Sequence, residues 1–196
     1  MSPYYVGLSG KAGSGKDTAA KFLKEALEAR GKRVETLAFA DPIRWMLLSL
    51  GVPQQYMMNR DLKEEPIPGF NGCSYRQLAQ TLGTEWGRHC LGNEFWLKQV
   101  ERRLSVWREI HRSPDVLIIS DVRMPNEAAW ILARGGMLAH VVRPHMDPVR
   151  EHESEGYELP FTLAIHNDSD LISLRSRSSL FANTVLNCIE MAWDKA

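Results

Sequence analysis

The stretch GLSGKAGSGKDT, residues 7–18, decides the fold class that this sequence predicts. Its residues 10–16 fit the pattern G-x-x-x-x-G-K, which is typical of a loop that holds phosphate groups with consecutive backbone N–H groups. Small residues are needed there because the backbone must approach the phosphate closely. The residue after the lysine is usually Ser or Thr, but here it is Asp17, followed by Thr18. The stretch therefore predicts a phosphate-binding loop with one unusual position.

The sequence on either side of this loop provides the context that such a loop requires. Residues 4–9 form a short apolar run, which predicts a strand, and residues 18–29 carry apolar side chains at helical spacing. A second apolar run at residues 34–40 predicts another strand, after which Asp41 and Pro42 are typical of an N-cap and a first-turn proline. This part of the chain therefore predicts a β-α-β unit.

The rest of the chain continues the alternation of strands and helices. Residues 52–73 contain several prolines and glycines without sustained periodicity, and they predict a surface excursion with short helical pieces. The other predicted elements are helices at residues 75–90, 95–111, 126–134 and 171–193 and strands at residues 116–120, 137–142 and 162–166. This order favours an α/β fold in which a parallel sheet is wrapped by helices.

The length of 196 residues suits one domain with small insertions. We expect a P-loop NTPase three-layer fold over residues 1–196, in which a parallel sheet is flanked by helices. A substrate-side helical region is expected at about residues 41–112, and a lid at about residues 144–161.

Charge and cysteine content argue against several functions. Lys and Arg number 24, as do Asp and Glu, so no overall field attracts a nucleic-acid polymer or an anionic membrane. No segment approaches the ~20 apolar residues of a membrane span. Cys73, Cys90 and Cys188 lack metal-ligand spacing and predict reduced thiols in a cytoplasmic compartment.

The loop predicts a site for the phosphates of ATP. Lys16 would bridge the β- and γ-phosphates, and the following helix would add the positive end of its dipole. The carboxylate of Asp17 can ligate Mg²⁺ in place of the usual hydroxyl. The alternative is a glycine-rich turn that binds no ligand. The predicted ATP-binding residues of the loop are Gly10, Ala12, Gly13, Ser14, Gly15, Lys16, Asp17 and Thr18.

A second acidic residue is predicted close to the loop. Asp121 follows the apolar run VLIIS, so its carboxylate would lie at the carboxyl edge of the sheet, where ligands of open α/β folds bind. Such an acid can hold Mg²⁺ through water or position the attacking group. The alternative is an Asp at the start of a helix close to Pro125.

The string SGKAGSGKDTAA resembles the loop of phage-type deoxynucleoside monophosphate kinases, which also carry Asp in place of the hydroxyl. Related GKDT loops occur in some other small-metabolite kinases. Further segments extend the resemblance over most of the chain: FADPIR at 39–44, QTLGTEWGR at 80–88, SDVRMPNEA at 120–128, VVRP at 141–144 and HESE at 152–155.

Several substrate-binding residues follow from this resemblance and from side-chain chemistry. Asp41 and Arg44 occupy the position where the resemblance implies a substrate-side helix, although Asp41 is equally explained as a cap. Arg123 could grip a substrate phosphate with two parallel hydrogen bonds, oriented by Glu127. That pair could instead be a surface ion pair.

The segment QTLGTEWGR is implied by the resemblance to line the deoxynucleotide pocket. Gln80 and Glu85 could contact base edges, and Arg88 the phosphate, with Gly83 and Thr84 between them. The alternative is an amphipathic helix interrupted by glycines.

Three residues near the end of the chain complete the predicted site. Arg143 and Arg150 are candidates for a closing lid that brings positive charge to the transferring phosphoryl group. The resemblance suggests that Asn167 contacts the adenine of ATP, the alternative being helix capping by its neighbours.

The predicted function is ATP-dependent phosphorylation of deoxynucleoside monophosphates, with catalytic Lys16, Arg143, Asp121 and Arg150, and with Mg²⁺ held by Asp17 and Asp121. Small-molecule nucleotides are the expected partners in the cytoplasm, including a host cytoplasm for a phage-encoded enzyme. The sequence is compatible with a homodimer. The alternatives are a P-loop kinase of another phosphorylated metabolite, such as dephospho-coenzyme A or phosphomevalonate, and a nucleotide-binding regulatory module.

Overall fold

The described part of the chain is an α/β structure built on a five-stranded sheet. The computed structural model describes residues 2–110, 112–144 and 157–193. The strand order is β2-β3-β1-β4-β5, and every neighbouring pair is parallel. This confirms the predicted parallel sheet. The strands are β1 (Tyr4–Ser9), β2 (Val34–Leu37), β3 (Val116–Ile119), β4 (Met137–Val142) and β5 (Leu163–His166).

The chain divides into two compact units, Met1–Ala38 with Leu104–Ala196, and Phe39–Arg103. The second unit overlaps the segment predicted to be substrate-side. The helices are α1 (Lys16–Glu28), α2 (Asp41–Ser49), α3 (Gln54–Met58), a 3₁₀ turn (Asp61–Glu64), α4 (Tyr75–Gln80), a π-helix (Thr81–Cys90), α5 (Phe95–Glu109), α6 (Pro125–Leu132) and α7 (Leu171–Trp193).

The core of the first unit lies on both faces of the sheet. On one face Leu8 and Ile118 are fully buried in a cluster that also contains Leu23 of α1 and Val185 of α7. On the other face α6 packs against the strands, and its Trp130 meets the ring of Tyr5 edge-on with centroids 5.2 Å apart. Each fully buried large apolar side chain contributes about 1.5–3 kcal/mol. These contacts fix the strand ends from which the loops leave.

Two predicted boundaries near the start of the second unit were wrong. The strand predicted at residues 34–40 ends at Leu37. The predicted N-cap Asp41 is instead the first residue of α2, because Ala40 occupies the cap position and makes no side-chain cap bond. Asp41 therefore lies in the first turn, where a carboxylate also favours the helix dipole.

The helix predicted at residues 75–90 changes its hydrogen-bond pattern at Thr81. Residues 75–80 are α-helical, and Thr81–Cys90 form a π-helix. The indole of Trp96 accounts for part of this geometry, because its Nε1 donates to the carbonyl oxygen of Gly83 at 2.8 Å. A Cβ on Gly87 would lie 2.4 Å from the same ring. The wide turn thus packs two glycines against one buried tryptophan.

Other predictions fall partly outside the described residues. The surface excursion at 52–73 contains the expected short helical pieces, α3 and the 3₁₀ turn. Most of the predicted lid, including Arg150, lies outside the described residues. None of the helices that the structure describes has the length and apolar character needed to span a membrane.

Candidate functional site

The glycine-rich loop joins the end of β1 to the start of α1. Gly10, Gly13 and Gly15 have positive φ angles of 140°, 81° and 96°. Between them, the amide of Ser14 donates to the carbonyl oxygen of Lys11 at 3.1 Å, which closes a turn. Gly15 is the N-cap of α1 and leaves the first amides of that helix without a side-chain cap. The loop thus directs backbone donors and a helix N-terminus into one place.

Close contacts explain why the first and last of these glycines cannot carry a side chain. A Cβ on Gly10 would lie 2.5 Å from the carbonyl oxygen of Val141 and 2.8 Å from Ser14 Oγ. A Cβ on Gly15 would lie 2.5 Å from the side-chain nitrogen of Asn167. The loop therefore packs tightly against the ends of β4 and β5.

The hydroxyl group of Ser14 is buried and has no hydrogen-bond partner. A buried polar group without a partner destabilises the folded state by about 1–3 kcal/mol. A phosphate oxygen placed within the loop would be a suitable acceptor. This buried hydroxyl, together with the glycine contacts, fits the loop to the polyphosphate of a nucleotide.

Lys16 brings a positive charge to the same loop. Its side chain is largely buried, and Nζ donates to the carbonyl oxygens of Gly10 at 2.6 Å and Lys11 at 2.8 Å. These partners hold the ammonium over the loop, where it favours an anion.

Two carboxylates are candidates for a metal ion. Asp17 is exposed in the first turn of α1, and Asp121 is largely buried just beyond β3. The amide of Val122 donates to the carbonyl oxygen of Leu8 at 3.1 Å, so Asp121 lies beside the end of β1. Within the described ranges there is no group of three or more His, Cys, Asp or Glu placed to hold a metal. Mg²⁺ bound to nucleotides needs only one or two carboxylates with phosphates and water, so this pair fits.

The carboxylate of Glu127 supports the backbone before α6. Glu127 is buried, and its Oε2 accepts from the amides of Arg123 at 2.8 Å and Met124 at 3.1 Å. These bonds fix the turn that carries Arg123, which is half-buried. In these bonds Glu127 contacts the backbone of Arg123, whereas the prediction was that it orients the guanidinium.

Two predicted site residues, Arg143 and Asn167, follow β4 and β5. Arg143 is exposed directly after β4. Asn167 follows β5, and its side-chain nitrogen donates to the carbonyl oxygen of Ser14 at 2.9 Å. The side-chain amide of Asn167 thus contacts the backbone of the loop. The predicted capping alternative is met by Asp170, whose Oδ1 accepts from the amide of Ser173 at 2.8 Å.

The remaining predicted substrate-binding residues lie in the second unit. Asp41 and Arg44 form an ion pair with Oδ1 and Nη1 2.8 Å apart. On α4 and the π-helix the structure places Gln80, Gly83, Thr84, Glu85 and Arg88. Of these, Glu85 is exposed and the other four are half-buried.

The aromatic residues around the π-helix differ in exposure. Trp96 is buried, whereas Trp86 is 39% exposed and contacts Phe95 and Trp96. The π-helix thus contributes Trp86 to an aromatic cluster with Phe95 and Trp96.

Sequence reasoning missed a histidine beside the loop. Ser9 Oγ lies 3.0 Å from His140 Nδ1, and the His140 ring stacks on Phe161 with centroids 5.4 Å apart. Burial, and then the positive charge of Lys16, lower the pKa of His140. The sequence feature that could have indicated His140 is its position as a lone polar residue in the apolar run LAHVV. The imidazole is therefore held neutral next to the charged lysine.

The family model described as deoxynucleotide monophosphate kinase matches residues 55–177, more than half of the chain. This chain belongs to the deoxynucleotide monophosphate kinase family. It is accordingly a nucleotide kinase, and thus a phosphotransferase. The matched region of the kinase contains the π-helix, Asp121, Arg123 and Arg143, and it begins after the phosphate-binding loop.

A relative of this kinase extends the comparison over nearly the whole chain. A protein of Acanthamoeba polyphaga mimivirus, named "Putative deoxynucleotide monophosphate kinase", is 28% identical over 196 residues, covering 95% of this chain and 96% of that protein.

Solved structures with similar folds include two other kinases. The APS kinase of Mycobacterium tuberculosis covers 96% of this chain and 98% of its own, with 16% identity and a TM-score of 0.41. A sugar kinase from a Janibacter species covers 95% of each chain, with 13% identity and a TM-score of 0.42.

Proposed function

We propose that this kinase transfers the γ-phosphoryl group of ATP to the phosphate of a deoxynucleoside monophosphate, forming the diphosphate and ADP. Two observations support the proposal: membership of the family, and the glycine-rich loop with its buried, unpartnered Ser14 hydroxyl. The loop is the observation that carries the donor half of the proposal, because its backbone donors and its position at a helix N-terminus suit a polyphosphate.

On the donor side, the residues of the loop bind and orient the polyphosphate. The backbone amides between Gly10 and Lys16 and the N-terminus of α1 donate hydrogen bonds to its oxygens. Lys16 exchanges its carbonyl partners for phosphate oxygens, because a charge-assisted hydrogen bond to an anion is stronger than one to a carbonyl. Ser14 and Thr18 add hydroxyl donors at the floor of the loop and the first turn of α1.

Asp17 and Asp121 are the proposed ligands of Mg²⁺, directly or through water. The ion offsets the negative charge of the phosphates when it is bound. Asp17 takes the place of the usual hydroxyl ligand, and its own charge is tolerated near phosphate only with a cation between them. Asp121 is held in place because the amide of the next residue, Val122, donates to the carbonyl oxygen of Leu8.

On the acceptor side, arginines are proposed to hold the phosphate of the monophosphate. Arg123 projects from a turn fixed by Glu127, and Arg143 and Arg150 add positive charge as phosphoryl transfer proceeds. Catalysis then consists of alignment and charge neutralisation, with no covalent enzyme intermediate.

The second unit is proposed to bind the deoxynucleoside. Gln80, Glu85 and Arg88 provide amide, carboxylate and guanidinium groups, while Gly83 and Thr84 lie between them on the π-helix. Asp41 and Arg44 are proposed to contact the same substrate from α2. The family match covers the π-helix, which favours a nucleotide acceptor over dephospho-coenzyme A or phosphomevalonate.

The proposed setting is a reducing cytoplasm, including that of an infected cell. Cys73, Cys90 and Cys188 are free thiols, and the relative described above is viral. Small nucleotides are the proposed partners.

A coupled ADP-release assay across acceptors tests this proposal. The panel contains the four deoxynucleoside monophosphates, their ribonucleotide counterparts, dephospho-coenzyme A and phosphomevalonate. We expect saturable ADP release with at least one deoxynucleoside monophosphate and none with the two other metabolites. ADP release that responds to a metabolite but to no deoxynucleoside monophosphate would refute the proposed acceptor while leaving the donor site intact.

A further inference from the structure

Asn167 is hydrogen-bonded to the phosphate-binding loop. Its side-chain nitrogen donates to the carbonyl oxygen of Ser14 at 2.9 Å, and its backbone amide donates to the carbonyl oxygen of Val142 at 2.7 Å. The same nitrogen lies so close to Gly15 that a Cβ there would be 2.5 Å away. One residue thus links the ends of β4 and β5 to the start of α1.

The turn that carries Asn167 is itself held in place by α7. The guanidinium of Arg177 donates to the carbonyl oxygen of His166 and to Asp168 Oδ1, the latter at 2.5 Å. These are the residues immediately before and after Asn167. The ion pair with Arg177 also lowers the pKa of Asp168, which keeps its carboxylate charged. Asn167 therefore sits on a turn that is fixed from both sides.

The bond to Ser14 controls the direction of a backbone donor in the loop. The peptide between Ser14 and Gly15 is trans, so its C=O and N–H groups point in opposite directions. Because Asn167 holds the carbonyl oxygen, the N–H of Gly15 is turned away from Asn167. That N–H is one of the consecutive donors that a phosphate-binding loop needs.

We propose that Asn167 is a positioning residue for the loop: it orients the Ser14–Gly15 peptide so that the Gly15 N–H is presented to the polyphosphate. Arg177 acts indirectly, because its bonds to His166 and Asp168 fix the turn that carries Asn167. This inference rests on the proposed nucleotide-binding role of the loop. It differs from the adenine contact that the family resemblance implies, because the hydrogen bond from the side chain of Asn167 is made to the loop backbone.

The two roles predict different affinities for different triphosphates. An adenine contact would matter for ATP alone, whereas a loop-positioning residue matters for any triphosphate that the loop binds. We would measure, by calorimetry, the binding of ATP and of inorganic tripolyphosphate to the wild type, Asn167→Ala and Asn167→Asp. Asn183→Ala, an exposed asparagine on α7, is the matched control.

We expect Asn167→Ala to weaken the binding of both ligands by the same factor, about five- to tenfold, which corresponds to the loss of one hydrogen bond. Asn167→Asp should weaken both further, because it replaces the donor with a charged acceptor facing the Ser14 carbonyl. Asn183→Ala should bind as the wild type does. A loss confined to ATP, with tripolyphosphate unchanged, would overturn the inference in favour of an adenine contact.

Hydrogen exchange of the nucleotide-free protein provides a readout that needs no ligand. We expect Asn167→Ala and Arg177→Ala each to raise amide exchange in peptides covering residues 10–17, while β1, β3 and β4 stay protected. The two substitutions together should add little to either one, since they act on the same turn. Unchanged exchange at residues 10–17 in both variants would overturn the inference. If the wild type binds no triphosphate, the proposed function fails, and the exchange result still decides whether Asn167 positions the loop.

Discussion

Lys16 Nζ donates a hydrogen bond to the carbonyl oxygen of Gly10 across 2.6 Å, within the loop that contains both residues. A second bond, to Lys11 O at 2.8 Å, holds the ammonium in the same place. Both acceptors are neutral, so a phosphate oxygen entering the loop offers this lysine a stronger partner nearby. The loop is thus arranged so that its cation needs only a short movement to bind an anion.

Replacing Lys16 with alanine tests this arrangement. We expect turnover to fall by at least about a hundredfold, which is the usual effect of removing a charged donor aimed at a developing negative charge. The free energy of unfolding should change by only about 1 kcal/mol, because the lost bonds lie within one loop. Steady-state kinetics and thermal unfolding measure the two effects. Lys21→Ala, an exposed lysine on α1, is the control and should leave turnover unchanged.

Gly10→Ala should damage the loop more than the same change at another glycine with positive φ. The new Cβ would lie 2.5 Å from the carbonyl oxygen of Val141, whereas a Cβ on Gly31 would meet nothing within 4 Å. Both substitutions carry the backbone cost of about 1–2 kcal/mol for positive φ. We expect Gly10→Ala to lose at least about 1 kcal/mol more than Gly31→Ala in chemical denaturation. Equal losses would show that the contact with β4 is not tight.

Ser14→Ala should have opposite effects on stability and on binding. Removing a buried, unpartnered hydroxyl should raise the free energy of unfolding of the nucleotide-free protein by up to about 1 kcal/mol. The same change should weaken ATP binding several-fold, since one phosphate donor is lost. Ser178→Ala is the matched control, because that hydroxyl is also buried but donates to the carbonyl oxygen of Leu174 at 2.8 Å. It should lower the free energy of unfolding by about 1 kcal/mol.

The lowered pKa of His140 predicts a pH dependence of stability. In the unfolded chain the imidazole takes up its proton near pH 6.5, whereas in the folded protein it does so only at a lower pH. Between these two values the unfolded chain binds more protons, so the free energy of unfolding falls as the pH drops through about 6.5. Among the described residues, Ser9 and Phe161 contact His140, and the charge of Lys16 acts on it.

His140→Gln should remove this part of the pH dependence. Denaturation midpoints of the wild type and the variant between pH 8 and pH 5, a range of about one and a half units on either side of the ordinary histidine pKa, measure it. We expect the two curves to approach each other as the pH falls. Parallel curves over the whole range would contradict the assigned protonation state.

Much of the fold could be predicted because the three central strands, β1, β3 and β4, are largely buried on both faces. Continuous apolar runs mark parallel strands, and β1 and β4 have the bounds that were predicted. Helix α7 also has its predicted bounds, since Leu171 follows polar capping residues. The loop was recognisable because its glycine spacing is local in the sequence. Local patterns were therefore sufficient for these strands, for α7 and for the existence of the glycine-rich loop.

The features that the sequence did not predict depend on partners far along the chain. Ser9 and His140 are neighbours only because β1 and β4 pair in a register that aligns them. Asn167 reaches Ser14 for the same kind of reason, since β5 extends the sheet beside β4. The π-helix was missed because apolar spacing does not distinguish its hydrogen bonds from those of an α-helix, and because the contact with Trp96 is tertiary.

Direct analysis of the reaction products is the most decisive test of the proposed function. Wild-type protein is incubated with ATP, Mg²⁺ and each deoxynucleoside monophosphate in turn, and the nucleotides are separated by anion-exchange chromatography. The account predicts that at least one deoxynucleoside diphosphate appears in equal amount with ADP, and that Lys16→Ala forms neither above background. Folded wild-type protein that yields no deoxynucleoside diphosphate from any of these substrates would contradict it.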